Sequence, residues 1–235
     1  MCGITSFNFE DPSLLRLMMK SLSHRGPDDH GFYTDNNVSL GHNRLSIIDL
    51  SRKARQPLSN EDGSIQVACN GEIYNHKELR EGLKKHSFHS DSDTEVILHL
   101  YEDLGPEFIK KLNGMFAFAL YDSNKRILML ARDRAGIKPL YYHSSGGKFL
   151  FASEIKALLQ YKKFPPDKEA LDQFFTFQYP LAPKTLFHGV NMLLPSEYLI
   201  LDLKSMKLTK KSYWSPNLAI SKMSEKECIK VQENK

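Results

Sequence analysis

Cysteine is scarce in this 235-residue chain, which has only Cys2, Cys69 and Cys228. Their number is odd and their separations match no metal-ligand spacing. That argues against a disulfide framework or a cysteine-bound metal, and it fits a reducing compartment such as the cytoplasm. No apolar run is long enough to cross a bilayer. Residues 1–20 carry acidic side chains and no small-residue cleavage site, so no targeting peptide is expected. A dominant charge is also missing: 32 basic against 28 acidic residues leave a net +4. The basic residues are scattered, apart from pairs such as Lys84-Lys85, Lys162-Lys163 and Lys210-Lys211. Scattered charge reads as a solvated surface, so neither a nucleic acid nor a membrane is expected as partner. The chain has no internal repeat.

What remains is ordinary globular composition, 41% hydrophobic and 26% charged, with enough length to bury a substantial core. Residues 3–9 alternate as a strand does. Pro12 opens a helix with an apolar stripe of Leu14, Leu15, Leu17, Met18 and Leu22. His24 to Asp29 is a loop, and strands are expected at about 31–34, 38–48 and 64–69. Asn70-Gly71 carries a turn signal, and Asn75 with Glu78 resembles a capping pair for a helix to about His86. A second helix follows Asp93 and ends at Gly105, and Pro106 begins a short third. Residues 115–121 predict a strand buried on both faces, turned by Asp122 to Lys125 into a strand at 126–132. Another hairpin spans 140–151 with Ser145-Gly146-Gly147 as its turn. Helices at 154–161 and 167–177 precede short strands at 185–187, 197–202 and 207–213. Many hairpins without regular strand–helix alternation predict an α+β fold of antiparallel sheets with helices outside. Residues 215–235 are polar and read as a tail or linker.

Chemistry begins at the second residue. Removal of Met1 would leave Cys2 with both a thiol and a free α-amine, a nucleophile with its own base. A thiol of pKa ~8.5 beside an amine of pKa ~7.7–8.0 can pass its proton directly or through one water. A cysteine at position two also arises by chance. Asn70-Gly71 offers a side-chain amide and a backbone N–H suited to an oxyanion, or else a plain turn. Arg44 offers a fork for a carboxylate, or else a surface charge at a strand start. Asp93 suits a substrate ammonium, and equally sits where a helix N-cap belongs. An arginine and an aspartate that grip the two ends of an α-amino acid would present its side-chain amide to the thiol. That is a description of glutamine hydrolysis.

Segments in order make the pattern specific: Met1-Cys2-Gly3-Ile4, His24-Arg25-Gly26-Pro27-Asp28, Arg44-Leu45-Ser46-Ile47-Ile48-Asp49, Gln56-Pro57-Leu58 and Asn70-Gly71-Glu72-Ile73-Tyr74-Asn75. Ser92-Asp93-Thr94-Glu95, Gly114 to Ala119, Arg132 to Tyr141 and Ser153 to Leu158 follow. The series resembles the N-terminal class II glutamine amidotransferase (glutaminase) domain of glutamine-hydrolysing asparagine synthetases of the B type, over roughly residues 1–214. The resemblance implies an N-terminal-nucleophile hydrolase fold, a four-layer αββα sandwich of two stacked antiparallel sheets. It implies Cys2 as nucleophile, Asn70 and Gly71 as oxyanion hole, Arg44 for the glutamine α-carboxylate and Asp93 for its ammonium. Leu45, Ser46, Ile47, Ile48 and Glu72 would line the pocket. Arg25 and the Arg132-Asp133 pair would be hydrogen-bonded scaffolding.

The implied partners are L-glutamine and a synthetase domain or subunit that receives ammonia, and a homo-oligomer is left open. No cofactor is expected in this chain. ATP and magnesium belong to the synthetase domain, whose Ser-Gly-Gly-x-Asp-Ser loop has only Ser145-Gly146-Gly147-Lys148 as a counterpart here, without the Asp-Ser. Pro195-Ser196-Glu197 stands where the family has a Pro-Gly type turn. Two alternatives stay open: an amidotransferase subunit for another acceptor, or a silent glutamine-binding fragment.

Overall fold

The fully buried strand β1 (Gly3–Phe7) leads into α1 (Pro12–Ser21), where Asp11 accepts from Leu14 N at 2.9 Å to cap the first turn. These coordinates, a computed structural model, describe residues 1–216 and 223–233. Strands β2 (Asp29–Thr34) and β3 (Ser39–Arg44) form a hairpin, and β4 (Leu58–Ser59) precedes the long β5 (Ile65–Ile73). Helices α2 (His76–Gly82) and α3 (Glu95–Leu104) then lead to β6 (Gly114–Asp122) and β7 (Ile127–Arg132). The hairpin of β8 (Tyr141–Ser145) and β9 (Lys148–Ala152) is followed by α4 (Ile155–Leu158) and α5 (Lys168–Phe177). Strands β10 (Val190–Met192), β11 (Glu197–Asp202) and β12 (Leu208–Ser212), then helix α6 (Glu225–Glu233), complete the order.

Two six-stranded sheets result, ordered β10-β8-β9-β1-β3-β2 and β12-β11-β7-β6-β5-β4, with antiparallel neighbours throughout. Three apolar layers show how they stack. Ile4, Leu40, Ala68, Ala119, Leu130 and Phe151 lie between the sheets. Leu14, Leu15, Met18 and Leu158 pack α1 and α4 on the outside of the first sheet. Val96, Ile97, Leu100 and Tyr101 pack α3 on the outside of the second, against Cys69, Phe116 and Phe118. The period-two alternation of β6 sends Ala117 and Ala119 inward and Phe116 and Phe118 outward, so this strand is buried on both faces as expected. The architecture is α+β, two stacked antiparallel sheets between helices.

Several local expectations are revised. Asn70-Gly71 is not a turn. β5 continues through both residues, Asn70 opposite Ala117 and Gly71 opposite Phe116. A Cβ on Gly71 would stand 2.2 Å from Met115 O, so close approach to β6 requires the glycine, not a turn. Asn75 makes no side-chain cap on α2, which ends at Gly82. Its amide bridges to the next segment, donating to Lys111 O at 3.0 Å and accepting from Asn113 N at 2.9 Å. Residues 185–187 form no strand beyond a single bridge, Pro166 to Phe187, and part of the polar tail is the helix α6. Gly146 and Gly147, at φ 55° and 72°, form the hairpin turn between β8 and β9.

At the 195–197 turn Ser196 itself takes the left-handed conformation, φ 61°. Its N–H donates to Asp133 O and its hydroxyl to Arg134 O, both at 2.9 Å. Left-handed φ costs a non-glycine residue about 1 kcal/mol, and the hydroxyl bond returns about as much. Urea denaturation should place Ser196→Gly within about 0.5 kcal/mol of the parent and Ser196→Ala about 1 kcal/mol below it. Equal stability of the two variants would contradict this account.

One polar bond crosses between the sheets near the site. His42, fully buried on β3, donates Nε2–H to Cys69 O of β5 at 3.0 Å. Burial holds this imidazole neutral, its pKa lowered from 6.5 to about 4. The folded value lies below the unfolded one, so the unfolded chain takes up the proton first as pH falls. The stabilising contribution is complete above about pH 6.5 and is lost progressively toward pH 4. It amounts to about 3 kcal/mol. In His42→Gln, which keeps a donor but does not titrate, the loss of stability between pH 7 and pH 4 should shrink by about that much.

Candidate active site

The site lies at an edge that β4 leaves bare. Antiparallel pairing sends the N–H and C=O of alternate β5 residues outward, away from β6. Ile65 N donates to Asn60 Oδ1 at 2.9 Å, and Val67 lies opposite Leu58 of β4. Beyond Leu58 the chain turns away through the cis Gln56–Pro57 bond, and side chains replace the missing strand. Gln56 Oε1 accepts from Cys69 N at 2.6 Å while His42 takes Cys69 O. Asp93 Oδ2 accepts from Ile73 N at 2.6 Å. Gly71 falls between them in the same outward row, and there a cleft takes the place of a partner.

That cleft holds about 30 Å3 and gathers Cys2, Arg44, Leu45, Ile47, Ile48, Gly71, Glu72 and Asp93. Of the expected site residues, two are not on its wall. Ser46 turns its N–H away to Asp28 Oδ2 at 2.8 Å. Asn70 lies behind the wall, fully buried, on the face of β5 that Ala68 directs between the sheets. Neither amide atom of Asn70 has a hydrogen-bond partner. A buried amide left unsatisfied costs about 1–3 kcal/mol, so this one calls for a ligand atom or a functional reason.

The thiol of Cys2 faces the start of the 45–51 loop. Its Sγ is 3.4 Å from Leu45 N and 3.6 Å from Leu45 O. Burial pushes this thiol up, partly offset by the Leu45 N–H and the positive chain terminus nearby. Behind it, Arg25 Nε donates to Cys2 O at 2.8 Å and Arg25 Nη1 pairs with Glu154 Oε1 at 2.7 Å. The neighbouring Gly26 permits this, since a Cβ there would lie 2.3 Å from the Asn43 carbonyl. Ser153 Oγ accepts from Ile4 N at 3.0 Å. The backbone around Cys2 is therefore fixed on both sides. Arg132 and Asp133 act likewise at a distance from the cleft. Arg132 donates to the carbonyls of Gly136, Lys138 and Leu193, and Asp133 accepts from the N–H groups of Phe116, Ala135, Ile137 and Lys138.

Arg44 is buried at the end of β3 and donates to Ser51 O at 2.9 Å and to Asp49 O. It thus folds the 45–51 loop around itself, with donors of its fork left over. Asp49, at φ 53°, ties the loop to the opposite wall by accepting from Asp91 N at 2.8 Å. On that wall Asp93 does not cap α3: Thr94 is the residue at the cap position, and no side chain bonds there. The Asp93 carboxylate is spent on Ile73 N instead, because the 90–93 segment runs alongside β5. Burial raises the Asp93 carboxyl, opposed by that N–H; burial and then Asp93 raise Glu72. The cleft therefore carries a guanidinium and two carboxyls whose ionisation burial opposes.

Sequence reasoning missed Gln56, Cys69, Ser92 and Thr94 as lining residues. Gln56-Pro57 stood in the motif series, but nothing in it showed that the amide would substitute for a strand. Gln56 Nε2 also donates to Thr94 Oγ1 at 3.3 Å.

Comparison with known proteins identifies relatives of the chain. A 40% identical relative over 230 residues is asparagine synthetase [glutamine-hydrolyzing] 2 of Bacillus subtilis, which matches 92% of this chain and 31% of its own length. A putative asparagine synthetase [glutamine-hydrolyzing] 1 of Methanocaldococcus jannaschii is 44% identical over 183 residues, 67% of this chain and 33% of its own. The amidase chyE of Penicillium rubens is 41% identical over 196 residues, 82% of this chain and 28% of its own. The chain thus spans about a third of these relatives' length. The glutamine phosphoribosylpyrophosphate amidotransferase of Bacillus subtilis shares the fold, with a TM-score of 0.66 at 22% identity over 92% of this chain and 50% of that one. With the glutamine amidotransferase domain family matching residues 1–214, the whole of both sheets and the Cys2 cleft, the chain belongs to that family.

Proposed function

We propose that this chain hydrolyses glutamine to glutamate and ammonia through a Cys2 thioester. The observation that carries the reading is the cleft that Cys2, Arg44, Gly71, Glu72 and Asp93 line together. Once Met1 is removed, the Cys2 amine takes the thiol proton, and the resulting ammonium holds the thiolate against the cost of burial. Arg44 binds the α-carboxylate with its remaining donors, and Asp93 with Glu72 receives the α-ammonium. The side-chain carboxamide of glutamine then meets Sγ. The tetrahedral oxyanion accepts from Asn70 Nδ2 and Gly71 N, the two donors this structure leaves without protein partners beside the cleft. The ammonium protonates departing ammonia, and water cleaves the thioester. None of these steps calls on ATP or magnesium.

Ammonia is proposed to serve ATP-dependent asparagine synthesis in a synthetase domain, with residues 1–214 the glutaminase unit and 215–235 leading toward that partner. The names of the relatives from Bacillus and Methanocaldococcus support this. ATP and magnesium would act there. A second reading, hydrolysis or transfer with another acceptor, has the relative named an amidase behind it. Three unpaired cysteines suit the cytoplasm as location.

Ammonia release from glutamine, alone and with a synthetase partner plus aspartate and ATP, tests the assignment. Asn70→Ala should lower kcat by ~10²–10³, and an unchanged kcat would remove it from the oxyanion hole. Arg44→Ala should raise the glutamine KM more than it lowers kcat, since its contact is the same in ground and transition states. Intact mass provides a separate check. A preparation that retains Met1 should be inactive, and activity should track the fraction beginning at Cys2.

A further inference from the structure

Away from the Cys2 cleft, one cluster holds metal-ligand chemistry that glutamine hydrolysis does not use. Glu61 follows β4, His86 lies in the loop after α2, and His99 and Glu102 are one turn apart on α3. The fold brings one donor atom from each within 4.8 Å of all the others. His99 Nδ1 is 2.9 Å from Glu102 Oε2 and 3.8 Å from Glu61 Oε2. His86 Nδ1 is 3.4 Å from Glu102 Oε2 and 3.8 Å from Glu61 Oε1. Ligands about 2.0–2.2 Å from a tetrahedral zinc ion stand about 3.3–3.6 Å apart. The observed separations bracket that spacing.

The surroundings fit as well. A metal-bound imidazole keeps its proton on the far nitrogen and gives it to a carboxylate or carbonyl. His86 Nε2 is 3.0 Å from Asp103 Oδ1, a carboxylate that Lys85 also pairs with at 2.7 Å. His99 Nε2, buried and otherwise without a partner, faces Glu95 Oε1 at 3.9 Å. The carboxylates are oriented too. Asn60 Nδ2 donates to Glu102 Oε1 at 2.8 Å, which leaves Glu102 Oε2 toward both imidazoles, and Ser87 N donates to Glu61 Oε1 at 3.0 Å, which leaves Glu61 Oε2 toward His99. A cleft of about 610 Å3, bordered by Asn60, Glu61, Ser87 and Phe88, provides the entry path.

We propose that Glu61, His86, His99 and Glu102 bind one divalent cation of the zinc class. Two imidazoles and two carboxylates are a donor set for such ions. The ion ties the turn before β5 and the 86–90 loop to α3. Glu95, behind His99, accepts from the N–H groups of His89 and Ser90, the segment that runs on to Asp93. The cation would therefore brace one wall of the cleft without entering it. The site does not depend on the glutaminase reading.

The test uses the full chain with Cys228→Ser, which removes the exposed thiol, after dialysis against a chelator. Co2+ should produce visible absorption of tetrahedral intensity, equimolar Zn2+ should bleach it, and Zn2+ should raise the Tm. His86→Gln and Glu61→Gln, both at partly exposed positions, should bind about 10-fold or more weakly and lose the Zn2+-dependent rise while matching the parent's Tm in chelator. Asp103→Asn should weaken binding by about 10–100-fold. Absence of both the Co2+ bands and the Tm rise would overturn the proposal and leave an ion-pair network held by protons. Binding undiminished in both His86→Gln and Glu61→Gln would overturn it too, since the metal would then sit elsewhere.

Discussion

The hydrogen bond from His42 to the Cys69 carbonyl is the constraint on which the site depends. It is a polar link between the two stacked sheets near the cleft, and it sits one residue from Asn70 and two from Arg44. Apolar contact alone lets stacked sheets slide at little cost. A directed bond between a buried donor and a buried carbonyl does not, because breaking it leaves both groups unsatisfied. Asn70 and Gly71 on one sheet thus keep a fixed position relative to the Cys2 thiol and Arg44 on the other.

The same pattern recurs around the cleft, where polar and charged side chains bond to backbone. Arg25 holds the Cys2 carbonyl, Asp93 holds Ile73 N, Gln56 holds Cys69 N, and Arg44 holds the loop that borders it. Each of these groups would be costly to bury alone and bonds groups that the strand edges leave over. Asn70 differs in that neither atom of its buried amide is bonded, whereas Arg25 and His42 each leave one nitrogen without a partner. A buried donor held without a partner is what preorganised electrostatic stabilisation of a developing negative charge requires.

Much of this was legible in the chain itself. The double-faced burial of residues 115–121, the helix opened by Pro12 and the hairpin at Gly146-Gly147 follow from local periodicity and turn chemistry. The readings that failed were those in which a residue suits two local roles. Asn-Gly favours turns, yet here a neighbouring strand needs a residue without a side chain and so the ladder runs straight through it. Asn75 and Asp93 both suit helix caps, yet both meet unpaired backbone of a distant segment, and for the buried Asp93 that is a stronger claim than a helix end.

The sequence by itself determined the chemistry available: a thiol behind a removable methionine, an arginine, an Asn-Gly pair and an aspartate, in an order that marks the family. It also determined antiparallel sheets with helices outside, because alternation and turn residues act over a few positions. Only the tertiary structure decided that β4 stops at a cis proline and opens an edge, that Asn70 lies behind the cleft wall while Gly71 borders it, and that four ligand-type side chains from three segments converge beside α3. These depend on which backbone groups remain unpaired once the sheets have stacked, and no local run of residues specifies that.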